Sequence, residues 1–279
     1  MELVKEKYKQ NILKGKLSSD LEDKIIPIQK VEFKELSQAM PSGLKTLDDM
    51  FMGGFRDGQL ILISGISGFG KTQLSLQITK QYSEQAIPVV WFSYEMPLNE
   101  LQWRFKQIGG YDDLLCYVPK ENISDNVKWL EDKIVESIVN YYTKIVFVDN
   151  LDFITVDVQN GDDKLTMQKR IIGMLKRIAI EYEIIIFLNA HIVKLEEGRE
   201  PRMQNIYGAS EAYKLSDAVI FIHRLKGDAK MGENIPELTN ISKIIVDKNR
   251  LTGKLGQFKV IFKDNKFSLI DNTHKDENY

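Results

Sequence analysis

Residues 60–72 read LILISGISGFGKT, an apolar run that breaks into a glycine-rich loop and ends on a lysine and a threonine. This order is typical of the strand, loop and helix start of a phosphate-binding loop. Glycine lets the backbone turn consecutive N–H groups towards a polyphosphate. Lys71 would supply a charge for the β- and γ-phosphates, and the Thr72 hydroxyl would be a ligand for Mg²⁺. The pattern predicts a chain that binds a nucleoside triphosphate.

The residues after this loop strengthen that prediction. Residues 72–86 place apolar side chains at helical spacing, and the N-terminus of such a helix favours anions through its dipole. A strand before the loop and a helix after it are the structural context that the motif requires. The residues predicted to contact the nucleotide here are Gly65, Ser67, Gly68, Gly70, Lys71 and Thr72.

Composition excludes several classes of protein. Cys116 is the only cysteine, so an internal disulfide is impossible and a reducing compartment is expected. One cysteine and three histidines do not make a typical structural zinc site. No apolar run approaches the ~18 residues that span a membrane, and the N-terminus has neither a secretory nor a transit-peptide pattern. We expect a soluble cytoplasmic protein, including the cytoplasm of a phage-infected host, or a mitochondrial one if a transit peptide has been removed.

The pattern along the chain predicts an α/β fold with a mainly parallel central sheet and flanking helices, because strands and helices alternate. The last two strands have only a short turn between them, which predicts a C-terminal antiparallel hairpin at the sheet edge. We expect a charged appendage at 1–35, a main domain at 36–272 and a polar tail at 273–279, and the appendage begins either with a short amphipathic helix at 1–16 or with a frayed terminus. Predicted strands are 59–64, 88–93, 144–149, 183–189, 217–223, 242–247 and 257–262, and predicted helices are 72–86, 97–108, 124–141 and 164–181.

Three polar residues follow the ends of predicted strands, where ligands bind in open α/β sheets. Asp149 ends one strand and can hold Mg²⁺ through its water shell. Glu95 ends another and can orient the water that attacks the γ-phosphate, although an ion-paired or helix-capping glutamate is the alternative. His191 follows a third and can contact the γ-phosphate, with a turn histidine of no catalytic role as the alternative.

A basic triplet, Lys248-Asn249-Arg250, lies at the tip of the predicted hairpin. Spacing of two places Lys248 and Arg250 on the same side of an extended chain. If the tip reaches a neighbouring subunit, both cations can meet the γ-phosphate bound there. Surface charge is the alternative interpretation of this spacing.

Taken in order, these motifs resemble the motor domain of the ring-forming replicative DNA helicases with a RecA-like P-loop NTPase fold, the DnaB family. The likeness is closer to the Twinkle-type helicases of mitochondria and phages, and it covers roughly residues 40–272. Asp152 departs from the family, which usually carries glutamine there. The stretches that carry the resemblance are SGLKTLDDMFMGGFRDGQLILISG, WFSYEMP, VFVDNLDFI, IYGASEAYKLSDAVIFIHR and IIVDKNRLTGKLGQFKVIF.

The resemblance implies roles for individual residues. Arg104 matches an arginine downstream of the catalytic glutamate, here Glu95. Arg224 matches an arginine that packs on the nucleotide base, and Phe262 is a candidate for the second wall of the base pocket. Lys248 and Arg250 match a lysine and an arginine finger that act on the next subunit's nucleotide. The implied cofactors are ATP, or another NTP or dNTP, and Mg²⁺.

The resemblance also implies a homohexameric ring that pulls single-stranded DNA through its channel. The channel loops would be residues 156–167 and 193–207. The second loop contains the predicted DNA-binding residues Lys194, Arg199 and Arg202, which suit it to tracking phosphates. The first contains Lys164 but also Asp157, Asp162 and Asp163, so it is a poor anion binder.

The short N-terminus departs from the family, whose members usually carry a primase or primase-binding domain there. We expect either a stand-alone or excised motor, or a separate primase or loader as a partner, and a helix at 1–16 would be a linker element that docks on the adjacent subunit. Two other functions compete with the helicase. One is a RecA/KaiC-like ATPase that acts as a recombination mediator or regulatory module without unwinding, and the other is a kinase-like P-loop enzyme.

Overall fold

The computed structural model describes residues 26–33, 35–121, 124–156, 163–192, 200–202, 205, 213–227 and 238–270. Contacts divide the chain into two units, Met1–Leu36 and Ser37–Tyr279. The described part of the first unit holds a 3₁₀ turn, Ile28–Lys30, in which no residue is buried. The helix expected at 1–16 and the tail expected at 273–279 lie outside the described residues.

The described residues of the second unit form one sheet of nine strands. Across the sheet the strands lie in the order β3-β2-β4-β5-β1-β6-β7-β8-β9. Neighbouring strands from β3 to β6 are parallel, and those from β6 to β9 are antiparallel. The strands are β1 Leu60–Gly65, β2 Val89–Ser93, β3 Cys116–Tyr117, β4 Ile145–Asp149, β5 Ile185–His191, β6 Ala218–Lys226, β7 Leu238–Asn249, β8 Gly256–Lys263 and β9 Lys266–Leu269.

Helices cover both faces of this sheet, and the alternation of side chains in β1 shows how the two cores arise. The helices are α1 Lys45–Met50, α2 Lys71–Glu84, α3 Leu98–Ile108, α4 Val127–Tyr141 and α5 Lys164–Glu181. Ile61 and Ile63 join the core under α2 and α3, whereas Leu60 and Leu62 join the core under α4 and α5. All residues of β1 are buried, as is typical of a parallel strand covered on both faces.

The predicted fold class is confirmed, including the C-terminal antiparallel hairpin, which β7 and β8 form. The hairpin is not the outermost pair of the sheet, because β9 follows a tight turn and pairs with β8. The two turn residues, Asp264 and Asn265, both have positive φ, as two-residue hairpin turns require. The short elements α1, β3 and β9 are absent from the sequence prediction. None of the described helices is long and apolar enough to cross a bilayer.

The parallel strands end at one edge of the sheet, and their register decides which residues meet there. Gly65 at the end of β1 pairs with His191 at the end of β5, and Ser93 at the end of β2 pairs with Asp149 at the end of β4. The loops that follow these four strands therefore begin side by side. This edge is where open α/β sheets bind their ligands.

Candidate nucleotide-binding site

The phosphate loop packs so closely against β6 and β9 that two of its positions require glycine. Gly70 has a φ of 101°, in the left-handed region, and precedes the first residue of α2. A Cβ atom at Gly70 would lie 2.8 Å from Cζ of Phe267, and one at Gly65 would lie 2.5 Å from the carbonyl oxygen of Ile222. Both distances are too short for non-bonded atoms, so a side chain would push the loop off β6 and β9.

Lys71 begins α2 with its ammonium group folded into the loop. Its Nζ donates a hydrogen bond to the carbonyl oxygen of Gly65 at 3.0 Å and lies 3.1 Å from Nδ1 of His191. Burial lowers the pKa of Lys71, and the carboxylates of Glu95 and Asp149 oppose that effect. The cation is thus held where the phosphate loop meets the ends of the neighbouring strands.

Thr72 and Asp149 form a second pair at this edge. The Thr72 hydroxyl donates a hydrogen bond to Oδ2 of Asp149 at 2.8 Å. Asp149 is buried, and among the described residues no hydrogen bond of normal geometry reaches its Oδ1. Burial raises the pKa of this carboxyl, against the effect of the Asn189 amide and the Thr72 hydroxyl. A hydroxyl and a buried carboxylate side by side fit a Mg²⁺ ion with bound water.

Asn150 joins the side chains of Glu95 and His191. Its Nδ2 donates a hydrogen bond to Oε2 of Glu95 at 2.7 Å and lies 2.8 Å from Nε2 of His191. Nε2 of His191 and Oε2 of Glu95 are 3.5 Å apart. With Lys71 these groups form a continuous polar chain beside the phosphate loop. A carboxylate and an imidazole so placed can contact a terminal phosphate and activate a water against it.

Two adjoining cavities open at this edge of the sheet, with volumes of about 280 and about 190 Å³. Two predicted residues lie behind the walls of the larger cavity: Gly65 accepts a hydrogen bond from Lys71, and Asp149 accepts one from Thr72. The predicted residues that line the larger cavity are Ser67, Gly68, Gly70, Lys71, Thr72, Glu95, Arg104 and His191. Those that line the smaller cavity are Gly68, Gly70, Arg104, Arg224 and Phe262.

The smaller cavity has two arginines and an aromatic ring among its walls. Arg104 is ion-paired with Glu100, with 2.7 Å between Nη2 and Oε1. Arg224 donates a hydrogen bond from Nε to a backbone carbonyl of β7 at 2.5 Å. The ring of Phe262 packs on Phe267 with 5.1 Å between centroids. Anchored guanidinium groups and an aromatic face are suited to hold a planar base.

Lys248 and Arg250 lie at the opposite end of the sheet. The ammonium of Lys248 donates hydrogen bonds to the carbonyl oxygen of Ser216 at 2.6 Å and to two carbonyls just before it. Nη1 of Arg250 lies 3.3 Å from Oδ1 of Asp217, and Oδ2 of the same carboxylate accepts a hydrogen bond from the backbone N–H of Leu60. Leu60 begins β1, whereas the phosphate loop follows its end. Neither cation reaches the phosphate loop of its own chain.

The environment of Lys248 also changes its acidity. Burial and, to a lesser degree, the cation of Arg250 lower the pKa of Lys248 to about 8. The ring of Tyr213 lies under the ammonium, with 5.0 Å from Nζ to the centroid. Lys248 is therefore anchored to its own chain. The Arg250 side chain is 54% exposed, and its Nη2 donates a hydrogen bond to the carbonyl oxygen of Lys214 at 2.9 Å.

Of the predicted DNA-binding residues, the structure describes Arg202. Its guanidinium is exposed and lies 3.7 Å from Oδ1 of Asp247 and 3.9 Å from Oε2 of Glu200. Its positive charge is therefore partly balanced by carboxylates of its own chain. Outside the described residues lie Lys194, Arg199 and the loop segments 157–162, 193–199, 203–204 and 206–212.

Two acidic residues that border the first predicted channel loop have structural partners. Asp163 caps α5 by accepting a hydrogen bond from the backbone N–H of Thr166 at 2.8 Å, and hydrogen bonds from Thr166 lower its pKa. Asp152 accepts a hydrogen bond from Nε2 of Gln168 at 3.3 Å, and its N–H donates to Oδ1 of Asn150. The unusual aspartate at 152 thus connects the phosphate edge of the sheet to α5.

Sequence reasoning missed two residues at these sites, Asn150 and Asp217. Asn150 follows the predicted metal ligand directly, and that adjacency was the signal available for it. Asp217 precedes the first residue of β6, and its role as the carboxylate that pairs with several cations is visible only in the folded structure. Besides Arg250, it binds Lys176, with 2.6 Å between Nζ and Oδ2.

Comparisons with known proteins agree with this geometry. The family described as DnaB-like helicase C terminal domain matches residues 39–109 and 117–271, well over half of the chain. The chain is 26% identical to replicative DNA helicase DnaB of Mycoplasma genitalium over 87% of its own length and 58% of that protein. It is 24% identical to DNA repair protein RadA of Chlamydia muridarum over 64% of its own length and 37% of that protein.

A solved structure of a DnaB-like replicative helicase, described together with its interactions with primase, resembles the chain in fold. The TM-score is 0.70 at 17% identity, and the match covers 96% of this chain and 72% of that one. The chain thus spans little more than half, or less, of the curated relatives named above. The predicted likeness to the DnaB family is confirmed, and that to the Twinkle type stays a prediction. The chain belongs to the family of DnaB-like helicase C-terminal domains.

Proposed function

We propose that residues 36–272 are the motor of an NTP-driven DNA helicase that works as a homohexameric ring on single-stranded DNA. One observation carries the proposal. Lys71 lies at one end of β1 and the Arg250 cation at the other, and we take them as the two halves of an NTPase site. Copies stacked head to tail bring the halves together, and such heterologous contacts close into rings when the rotation allows.

Within this proposal each residue has a defined task. The triphosphate lies along the phosphate loop, where Lys71 contacts the β- and γ-phosphates. Glu95 accepts the proton of the attacking water, and His191 donates a hydrogen bond to the γ-phosphate. Thr72 and Asp149 would hold a Mg²⁺ ion, which would supply positive charge against that of the phosphate oxygens. Arg250 of the adjacent subunit stabilises the charge that develops in the transition state.

The connection to DNA rests on chain order. The strand that ends in His191 is separated from the second predicted channel loop by one residue, whereas a 3₁₀ turn, Leu151–Phe153, lies between Asp149 and the first. A change in the contacts of the γ-phosphate with His191 would therefore act close to the start of the second loop. Basic loops in a ring suit single-stranded DNA because its phosphates recur along the strand. A separate primase or loader would complete the replication machinery.

Strand separation tests the proposal. Purified protein is given ATP, Mg²⁺ and a forked duplex with a fluorophore and quencher on opposite strands, and particles are imaged under the same conditions. We expect six-subunit rings and displacement of one strand that requires ATP. The Lys71→Ala variant serves as the control, because it should form rings and leave the duplex intact. Hydrolysis stimulated by single-stranded DNA without displacement on forks of either polarity would contradict the helicase.

The similarity to DNA repair protein RadA favours one second candidate. A RecA-like ATPase that acts in recombination would share the phosphate loop, Glu95 and Asp149. It would hydrolyse ATP on DNA and promote pairing or migration of strands without opening a forked duplex. The fork assay and a three-strand exchange assay, run side by side, separate the two functions.

A further inference from the structure

We propose that Asn150 is a positioning residue that fixes Glu95 and, when a γ-phosphate is bound, selects the tautomer of His191 in which Nδ1 carries the proton. The inference rests on the proposed NTPase function for its catalytic meaning, but the tautomer itself can be measured without turnover. Asn150 is fully buried, whereas the side chains of Glu95 and His191 are 36% and 27% exposed. The buried amide is thus held in place by its surroundings, and the two partly exposed side chains are positioned by their contacts with it.

The orientation of the Asn150 amide follows from two partners whose roles cannot be exchanged. Oδ1 accepts a hydrogen bond from the backbone N–H of Asp152 at 2.9 Å, and a backbone N–H only donates. Nδ2 donates to Oε2 of Glu95 at 2.7 Å, and a carboxylate only accepts. Rotating the amide by 180° would place two acceptors together and two donors together. The oxygen therefore faces Asp152 and the nitrogen faces the catalytic edge.

With a γ-phosphate bound, this orientation decides the tautomer of the histidine. The second hydrogen of Nδ2 points to Nε2 of His191, which lies 2.8 Å away. Nε2 must then offer its lone pair, and a neutral imidazole carries its one proton on the other nitrogen. That nitrogen, Nδ1, lies on the side of Lys71, with 3.1 Å to Nζ. Because the ammonium of Lys71 can only donate, it opposes a proton on Nδ1 until a γ-phosphate oxygen provides an acceptor that both donors share.

Nδ2 of Asn150 therefore positions both groups that the proposed hydrolysis needs, the carboxylate of Glu95 and the imidazole of His191. Asn150 holds the carboxylate that orients the water and, through Nε2, sets the proton that His191 presents to the phosphate. Partners of this kind, which fix the tautomer and orientation of a functional histidine, typically matter by roughly 10- to 100-fold in activity or affinity. We expect Asn150→Ala to lower kcat by this factor and to leave KM for ATP within a few fold.

The decisive measurement is nitrogen NMR on protein labelled with ¹⁵N-histidine. The chain has three histidines, His191, His223 and His274, so His191→Gln assigns the signals. Spectra are recorded without nucleotide and with ADP and aluminium fluoride, a mimic of the γ-phosphate. With the mimic bound, we expect His191 of the unmodified protein to carry its proton on Nδ1. In Asn150→Asp the carboxylate can only accept, so the proton should move to Nε2, and Asn150→Ala should also lose the Nδ1–H form.

The matched control is Asn126→Ala, which removes an asparagine that caps α4 away from the site. It should leave the His191 signals and kcat unchanged. With the mimic bound, an Nε2–H tautomer in the unmodified protein, or an Nδ1–H tautomer that persists in both Asn150 variants, would overturn the proposal. If the unmodified protein hydrolyses no NTP but shows the expected tautomers, the proposed function fails and the positioning by Asn150 stands.

Discussion

Arg250 is bound twice to Asp217 of its own chain. Its backbone N–H donates to the Asp217 carbonyl oxygen at 2.8 Å, and its Nη1 lies 3.3 Å from Oδ1 of the carboxylate. The same carboxylate is hydrogen-bonded to the first residue of β1, Leu60. At about 3.3 Å per residue, the end of β1 that bears the phosphate loop is about 17 Å away. Both the backbone and the guanidinium of the arginine are thus held at the end of β1 that is remote from the phosphate loop of its own chain.

Replacing Lys71 by alanine should abolish NTP hydrolysis. The change removes the cation that is held between the Gly65 carbonyl and His191, so the β- and γ-phosphates lose a fixed partner. Phosphate release is the measurement. Lys45→Ala is the control, because Lys45 is exposed and pairs only with Asp49 on the surface of α1. Normal turnover in a folded Lys71→Ala variant would refute the phosphate loop.

Replacing Glu95 by glutamine should slow hydrolysis by about 100-fold or more, the usual contribution of a general base. The amide oxygen of glutamine can still accept the hydrogen bond from Asn150, so the side chain should stay in place. ATP affinity should change little, because the phosphate contacts remain. Steady-state kinetics and equilibrium binding give the two quantities. Weaker binding with unchanged kcat would show that Glu95 is structural.

Removing the Asp217 carboxylate should destabilise the protein more than removing a carboxylate from an exposed ion pair does. Asp217→Ala leaves the half-buried ammonium of Lys176 without its partner at 2.6 Å. Breaking a buried ion pair from one side costs about 3–5 kcal/mol in free energy of unfolding. Denaturant unfolding measures the loss. Asp49→Ala, which breaks an exposed pair, should cost about 0–1 kcal/mol, and equal midpoints for the two variants would contradict the account.

Arg202→Ala should weaken the binding of single-stranded DNA to a similar extent for all sequences. Losing one phosphate contact should lower the slope of log affinity against log salt by roughly 0.7. Fluorescence anisotropy at several salt concentrations gives both values. The control is Lys144→Ala, because Lys144 precedes β4 at the end of the sheet away from the channel loops. An unchanged affinity and slope would show that Arg202 does not contact DNA.

Local patterns in the sequence are enough to predict the sheet and the phosphate edge. Buried strands such as β1 are continuous apolar runs, and the polar residue that ends each run marks the carboxyl edge. The strand ends alone therefore place Asp149, Glu95 and His191 at one site. The strand β3 has only two residues, too few to show a period, and β9 was missed although Asp264-Asn265 is a turn signal.

The contacts between distant residues could not be predicted in the same way. The partners of Asn150 lie 55 and 41 positions away in the sequence, and they meet only because β2, β4 and β5 end together. The Asp217 carboxylate likewise contacts Leu60, Lys176 and Arg250, which lie far apart in the sequence and meet only in the folded sheet. Such convergence depends on strand order and register, which a single sequence does not state.

Arg250→Ala should remove most NTPase activity, by about 10³-fold or more, while each subunit stays folded and binds nucleotide. The physical reason is that the Arg250 cation can reach only the phosphates bound by a neighbour. Lys71→Ala subunits keep Arg250, and Arg250→Ala subunits keep Lys71. Rings that contain both therefore include interfaces in which both groups are intact.

Phosphate release by such mixed rings tests most directly the claim that two subunits build one site. Activity should reappear when the two inactive variants are mixed, and it should stay absent when either is mixed with the double variant Lys71→Ala/Arg250→Ala. Native mass spectrometry verifies that the variants assemble together. Mixed rings of the two single variants that remain inactive, or an Arg250→Ala variant with full activity, would contradict the account.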